Sequence, residues 1–268
     1  MRACPLAAGT PVCRVRSNVM FESRNVHQRI YIGTAAWGNP PAERGNRAAG
    51  ESHLEYYAAR FNAVEINSSF YRQHRRNTYE HWRGSTPADF RFSVKLPRNV
   101  THESGLRHCR AELRAFLQEV AGLGRKLRVL LVQTPGSLVF EASVMGRFFA
   151  SLAAMSPCRI VCEPRHASWF SAKAGEMLRR YRVGRVAADP AKAPEAGEPG
   201  GARNLLYYRL HGSPKMYYSA YTSEYLKRLS EQITSADATA KEVWCVFDNT
   251  ARYASWKNAL ELQRLLSP

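Results

Sequence analysis

Leu127-Arg128-Val129-Leu130-Leu131-Val132-Gln133 is the stretch on which the fold turns. It is almost wholly aliphatic and does not alternate with polar residues. A strand of this kind has both faces covered, which is the situation of a parallel sheet flanked by helices. The neighbouring segments agree. On the C-terminal side, Met145, Phe148, Phe149 and Leu152 recur at helical spacing, and Arg159–Glu163 reads as the next strand. On the N-terminal side, Leu113, Phe116, Leu117 and Val120 mark a long helix. Before it, Phe90-Arg91-Phe92-Ser93-Val94-Lys95 alternates with the period of a strand.

The same alternation runs to both ends of the chain. Ile30–Thr34 reads as the first strand, Gly38–Gly50 as a loop rich in Gly, Pro and Asn, and Leu54, Tyr57, Ala58 and Phe61 as one helical face. Ala63–Asn67 is the second strand, and Thr78–Gly84 a short helix with Tyr79 and Trp82 inward. Ala174, Met177, Leu178 and Tyr181 precede a sixth strand, Val183–Asp189. Pro190 to Arg203 then holds three prolines and three glycines, so a loop replaces the next helix. Leu205–Leu210 is strand seven. Tyr225, Leu226, Leu229 and Ile233 line a helix, Val243–Phe247 is strand eight, and Trp256, Ala259 and Leu260 open the last helix.

Strands alternating with helices pair in parallel through right-handed crossovers. Eight such units in 268 residues predict a TIM-type (β/α) barrel lacking a regular helix between strands six and seven, a fold that needs about 250 residues. The alternative is an open doubly wound sheet, which calls for a Gly-rich phosphate loop after strand one; Gly33-Thr34-Ala35-Ala36-Trp37-Gly38 is not one. Residues 1–29 read as a disordered basic tail, and residues 30–268 as a single barrel domain.

Composition narrows the partners. Thirty-nine basic residues against 22 acidic ones give a net charge of +17, which favours anionic ligands. The partner expected is a small anionic molecule, with nucleic acid as the alternative; the oligomeric state is not readable. No run reaches the 18 or so apolar residues of a membrane helix, and no signal-type apolar region stands at the N-terminus, so no membrane partner and a cytoplasmic location are expected. Cys4, Cys13, Cys109, Cys158, Cys162 and Cys245 form no Cys-x-x-Cys pair and read as scattered reduced thiols.

Polar or charged residues terminate nearly every strand. Strand two ends in Glu65 and Asn67, whose equal parity puts them on one face. Strand three ends in Lys95, with His102 in the following loop, and strand four in Gln133. Strand five ends in Glu163, followed by Arg165, His166 and Trp169. Strand six ends in Asp189, strand seven in Arg209 and His211, and strand eight in Asp248 and Asn249. In a barrel these ends meet at the rim where active sites lie.

Glu163 is the leading general acid or base, because burial at a strand end can raise a carboxylate pKa toward neutrality. Glu65, Lys95, His211 and Asp248 complete the catalytic candidates. Arg209 and Arg165 suit an anionic group, while His166, His102, Asn67, Gln133 and Asn249 are polar contacts. Trp37, Tyr71 and Trp169 would form a stacking wall. No redox cofactor is expected. A divalent metal on Glu65, Glu163, His211 and Asp248 is less favoured, since no His-x-x-x-His spacing occurs and basic neighbours repel a dication. Tyr217-Tyr218-Ser219-Ala220-Tyr221 is a candidate lid.

Several blocks, in order, resemble the YecE-like family, also called domain of unknown function 72: Val64-Glu65-Ile66-Asn67-Ser68-Ser69-Phe70-Tyr71-Arg72, Phe92-Ser93-Val94-Lys95-Leu96-Pro97, Val100-Thr101-His102, Glu163-Pro164-Arg165-His166-Ala167-Ser168-Trp169, Tyr208-Arg209-Leu210-His211-Gly212 and Phe247-Asp248-Asn249-Thr250-Ala251. The resemblance spans about Ile30 to Leu266 and implies a TIM barrel; it implies no particular activity. The chain departs from the pattern at Ala35-Ala36, in the loop after Trp37, at Gln133-Thr134-Pro135-Gly136 and at Tyr253. Three functions follow as expectations: an acid–base enzyme (hydrolase, lyase or isomerase) on a small anionic or phosphorylated substrate; a nucleic-acid binder or metal-assisted phosphodiester hydrolase; or a non-catalytic ligand-binding barrel.

Overall fold

The structure, a computed structural model, describes residues 29–235 and 240–267. The expected basic tail, with Cys4 and Cys13, lies outside the described residues apart from Arg29.

The strands are β1 Arg29–Thr34, β2 Ala63–Ile66, β3 Arg91–Lys95, β4 Leu127–Gln133, β5 Arg159–Glu163, β6 Val183–Arg185, β7 Ala187–Asp189, β8 Gly200–Gly201, β9 Leu205–Leu210 and β10 Glu242–Phe247. They form two sheets, ordered β1-β10-β9-β7 and β2-β3-β4-β5-β6-β8. Every pairing is parallel except that of β6 with the two-residue β8. The protein is therefore an α/β fold with parallel sheets.

The sheets share chain at two places. The sixth expected strand is split at Val186: β6 pairs with β5 in one sheet, and β7 pairs with β9 in the other. At the opposite margins, Ala35 just after β1 bridges Glu65 of β2, and the Ala36 N–H donates to the Glu65 carbonyl. The approach of β1 to β2 requires Gly33, because a Cβ there would lie 2.0 Å from the Ala63 carbonyl oxygen.

Both faces of the strands are buried, as the aliphatic run of β4 demands. One parity, including Val64, Val94, Leu130, Val132, Ile160 and Cys162, packs against the helices. The other parity, with Tyr31, Ala63, Val129, Leu131, Val161, Tyr207, Trp244 and Val246, forms a second core cluster drawn from both sheets. Tyr207 stacks on Trp244 there with ring centroids 5.9 Å apart.

The helices are α1 Pro41–Arg44, α2 His53–Ala58, α3 Arg76–Gly84, α4 Arg110–Val120, α5 Ala142–Met155, α6 Ala172–Arg180, α7 Ser223–Thr234 and α8 Ala254–Leu266. The periodic residues of α5, namely Met145, Phe148, Phe149 and Leu152, are its buried ones; each contributes about 1.5–3 kcal/mol by leaving water. Ser52 and Glu55 close a reciprocal capping box on α2.

The expected loop at Gly38–Gly50 contains the four-residue α1, started by Pro41. Between β7 and β9 there is no regular helix, only a 3-10 turn at Pro194–Gly197 and β8, because the prolines lack the N–H groups a helix needs. No described helix is long and apolar enough to cross a membrane.

Candidate functional site

The C-terminal ends of the strands carry one continuous buried charge network. Its centre is Arg209 on β9, with a fully buried side chain. The guanidinium holds Glu65 of β2 bidentately, Nε to Oε2 at 3.0 Å and Nη2 to Oε1 at 2.7 Å. It also donates from Nη1 to Glu163 Oε2 at 2.5 Å and from Nη2 to Asp248 Oδ2 at 3.1 Å. Five donors in a rigid planar fork suit arginine, and not lysine, to a centre of three carboxylates.

His211, one residue past β9, lies between two of these acids. Its Nδ1 is 2.9 Å from Asp248 Oδ2 and its Nε2 3.1 Å from Glu163 Oε1. Arg165 also donates to Glu163 Oε1, and its Nη2 comes within 2.9 Å of His211 Nε2. Two N–H donors thus converge on one carboxylate oxygen, which Gln133 Nε2 also reaches at 3.2 Å. Tyr207 donates to Glu65 Oε2 at 2.9 Å and accepts from Ser93 at 2.8 Å.

These contacts shift the pKa values of the acids and of His211 in opposite directions. Burial alone would push Glu163 upward, but Arg209, His211 and Arg165 together hold its carboxyl well below the usual range. Burial likewise works against the charged form of Asp248, yet Arg209 and His211 keep it lowered. Burial disfavours the His211 imidazolium, but Glu163 and Asp248 outweigh this and raise its pKa. The expected raised pKa of Glu163 is therefore corrected: burial at a strand end raises a carboxylate only where no cation compensates it, and here three do.

Lys95, at the end of β3, differs from its neighbours. It is 5% exposed. Its Nζ lies 4.1 Å from the centroid of the Phe70 ring and, among the described residues, makes no hydrogen bond or ion pair. Burial, then repulsion from Arg209, lowers its pKa from 10.5 to about 8, against the pull of Glu65, Glu163 and Asp248. His102 packs edge-on against the same ring at 4.8 Å. Burial, then Lys95 and Arg98, lowers the His102 pKa, so this histidine is neutral at pH 7.

A second regularity surrounds this network. Buried polar atoms without a partner in the chain include both side-chain polar atoms of Asn39, Asn67 Oδ1, Thr134 Oγ1, Arg165 Nε and Asn249 Oδ1. Each belongs to the loop that follows a strand: β1, β2, β4, β5 and β10 in turn. Unused hydrogen-bonding capacity is rare in protein interiors; beside these six atoms, the described residues leave the Nε atoms of Arg47 and Arg185 and the indole nitrogens of Trp244 and Trp256 unpartnered elsewhere in the fold.

The structure thus brings together Glu65, Lys95, Gln133, Glu163, Arg165, Arg209, His211 and Asp248. Asn67 falls one residue past β2, half-buried at the same end. Asn249 is buried and donates to Ser219 O and Asn258 Oδ1. The aromatic wall does not form. Trp169 is wholly buried, its indole N–H bonded to the Leu138 carbonyl and its ring against Phe140. Trp37 packs on Trp82, and Tyr71, 75% exposed, touches the edge of Phe70. Among the described residues no ring contact joins these three, because each packs on a different neighbour. His166 accepts from the Ser168 N–H and starts a 3-10 turn, a local capping role.

The candidate lid is tied down on one side. Tyr221 donates to Asp189 Oδ1 and accepts from the Gly212 N–H, each at 2.8 Å, and Asn258 holds both its N–H and its carbonyl. Tyr217, at φ +69° and 43% exposed, covers His211 edge-on at 5.9 Å. Sequence reasoning missed Tyr207, Ser93 and Phe70 as site residues, and placed Tyr217 only within the candidate lid. The first two stand two positions before Arg209 and Lys95, so strand parity already placed them on the same face. Phe70 carries no such signal.

Comparison with known proteins supplies the lineage. The family described as protein of unknown function DUF72 matches residues 31–268. UPF0759 protein YecE of Escherichia coli strain K12 is 32% identical over 143 residues, 53% of this chain and 50% of the relative, so the chain spans about half the length of that relative. UPF0759 protein YunF of Bacillus subtilis strain 168 is 23% identical over 88% of this chain and 94% of its own. A crystal structure of a DUF72 family protein from Thermotoga maritima MSB8 superposes with a TM-score of 0.73 at 25% identity, covering 90% of this chain and 99% of the other. One from Enterococcus faecalis V583 gives 0.75 at 21% identity, covering 88% and 95%, a likeness of fold. The chain belongs to the DUF72 family.

Proposed function

We propose that the two sheets close into one (β/α) barrel and that its C-terminal mouth binds a small anionic or phosphorylated molecule and transforms it by acid–base chemistry. Closure is supported by the core cluster drawn from both sheets and by the chain shared at Val186 and at Ala35. The ligand class rests on a single observation, the charge balance of the network. Glu65, Glu163 and Asp248 are matched by Arg165, Arg209 and, in its protonated form, His211, and Lys95 is left over. A surplus positive charge at a crowded, mostly dry site is relieved by an anion. Arg165, whose side chain is 13% exposed and whose Nε lacks a partner, stands beside it as a second contact.

His211, whose pKa is raised by Glu163 and Asp248, is placed to supply a proton, and Lys95, with a pKa of about 8, is suited to take one up. Glu163 and Asp248 remain carboxylates and hold the imidazolium in place. The metal-assisted alternative gains no support from this geometry, since each of the three acids already bonds to a cationic neighbour among Arg209, His211 and Arg165.

The test is calorimetric titration of the full chain with inorganic phosphate at pH 7. Binding should weaken at least tenfold, about 1.4 kcal/mol, in Lys95→Met and in Arg165→Ala. No measurable binding to the unsubstituted chain, or variants that bind as tightly as it does, would remove the anion reading.

A further inference from the structure

A lysine is almost never buried unless paired. Lys95 is, and the structure offers no pairing duty for it. Glu65 is held by Arg209 and Tyr207 and Glu163 by Arg209, Arg165, His211 and Gln133, while Arg209 and His211 both take Asp248 through Oδ2. The amine is not needed to neutralise any of them. Nor is it sealed away, for Lys95 Nζ is not among the solvent-inaccessible atoms that lack a partner.

As a permanent anchor for an anion it is a poor choice. Beside Arg209 and under little solvent its pKa falls to about 8, whereas a guanidinium is the side chain of choice for a lasting positive charge. The position suits a different task. We infer that Lys95 is a covalent nucleophile whose Nζ condenses with the carbonyl carbon of an anionic aldehyde or ketone to form an iminium; this substrate class rests on the anion-binding reading of the mouth.

The step balances without any oxidant or reductant. The uncharged amine donates its lone pair to the carbonyl carbon, a C–N bond forms, and the C=O π pair moves to oxygen. Transfer of one amine proton to that oxygen gives a carbinolamine. One further proton, from the His211 imidazolium or from solvent, turns the hydroxyl into water. Water leaves as the nitrogen lone pair closes the C=N bond. The sum is amine plus carbonyl plus one proton, giving iminium plus water. The cationic iminium then draws electrons from the adjacent carbon, which eases loss of a proton or rupture of a C–C bond there. That is the chemistry of a lyase or isomerase, and the set of groups needs no redox cofactor for it.

The surroundings favour the neutral amine. Arg209 repels the ammonium. Glu65, Glu163 and Asp248 attract it, but burial and Arg209 prevail. His102 on the Phe70 ring is uncharged at pH 7. About one-tenth of Lys95 is then uncharged at pH 7, against about 0.03% of an ordinary lysine, a roughly 300-fold gain in the nucleophilic form.

Reductive trapping tests this. The full chain is incubated with glycolaldehyde, or with glycolaldehyde phosphate, in the presence of cyanoborohydride, and peptide mass spectrometry locates the secondary amines formed. Lys95 should label at least ten times faster than the exposed Lys173 of α6, with a rate rising through about pH 8, and faster still with the phosphorylated aldehyde. In Lys95→Met the fast adduct should vanish while Lys173 still labels, with an unchanged far-ultraviolet spectrum confirming the fold. Labelling of Lys95 no faster than Lys173 with either aldehyde overturns the inference, even if phosphate binds. Fast labelling by the neutral aldehyde with no gain from the phosphate group upholds the nucleophile and sinks the anion reading instead.

Discussion

Replacing Lys95 by methionine should make the protein more stable at pH 7, although the residue is buried at the centre of the site. The unfolded chain holds the lysine proton up to the ordinary value of 10.5, whereas the folded chain releases it at about 8. Between those values the unfolded state binds more protons, so stability rises with pH across the window, and below pH 8 the whole penalty is present. A gap of roughly 2.5 pH units corresponds to about 3 kcal/mol. The lost contact with Phe70 returns about 1 kcal/mol of this. Methionine fills nearly the same volume with no charge to desolvate. The expected gain is about 2 kcal/mol, or a rise in Tm of roughly 4–8 °C for a chain of this size. Urea unfolding of both proteins at pH 7, 8, 9 and 10.5 measures it. Deprotonation of buried tyrosines at the alkaline end affects both proteins alike and cancels in the difference. The gap should be widest at pH 7 and close by pH 10.5. A variant less stable at pH 7, or a gap constant over the series, would refute the claim that Lys95 carries an uncompensated buried charge.

Two further outcomes follow from the same network. Arg209→Met leaves three buried carboxylates short of their central partner and should cost about 3–5 kcal/mol at pH 7. Because the folded pKa values of Glu163 and Asp248 are lowered, the stability they contribute is present above their unfolded values and lost as pH falls through the folded ones. The deficit of the variant should therefore shrink below about pH 4.5, and equal melting temperatures at pH 7 would contradict it. For the histidines, an imidazole NMR titration should find His211 still protonated above pH 6.5 and His102 titrating below it. The reverse order would show that the two carboxylates do not govern His211.

The fold was legible because its signals are local. The aliphatic run of β4 and the helical spacing of α5 each state their own burial, and strands four, five and seven begin and end where the sequence placed them. The break at Val186 was not legible, since it depends on which neighbour each half of the strand pairs with. In the site, strand ends gave the positions of Glu65, Lys95, Glu163, Arg209, His211 and Asp248 because parity and termination are sequence properties. Protonation was not readable, because it depends on distances between chain segments far apart in sequence. Glu163 looked like an acid of raised pKa until Arg209, 46 residues away, was found 2.5 Å from it. Trp169 looked like a site aromatic because it follows a charged block; its burial depends on Leu138 and Phe140 from another loop.

The division of labour in the network follows from the cost of burying charge. Carboxylates at the end of a closed-packed sheet would be protonated unless compensated, and a protonated acid could not hold an imidazolium. Arg209 compensates three at once, and its rigid fork fixes their oxygens where His211 can span two of them. Once those charges cancel, the carboxyls of Glu163 and Asp248 are held below their ordinary values and the Arg209 guanidinium above its own, so near neutrality the network titrates through His211. Outside the pairing stands Lys95, which keeps an unspent charge and a pKa within reach of neutral pH. A ligand that brings a negative charge to the mouth therefore acts on Lys95 more than on any of the paired groups, and by favouring the ammonium it raises the pKa of the amine. An anionic substrate must accordingly place its carbonyl near Nζ while keeping its charge toward Arg165; one that sets its charge directly on Lys95 binds but does not react.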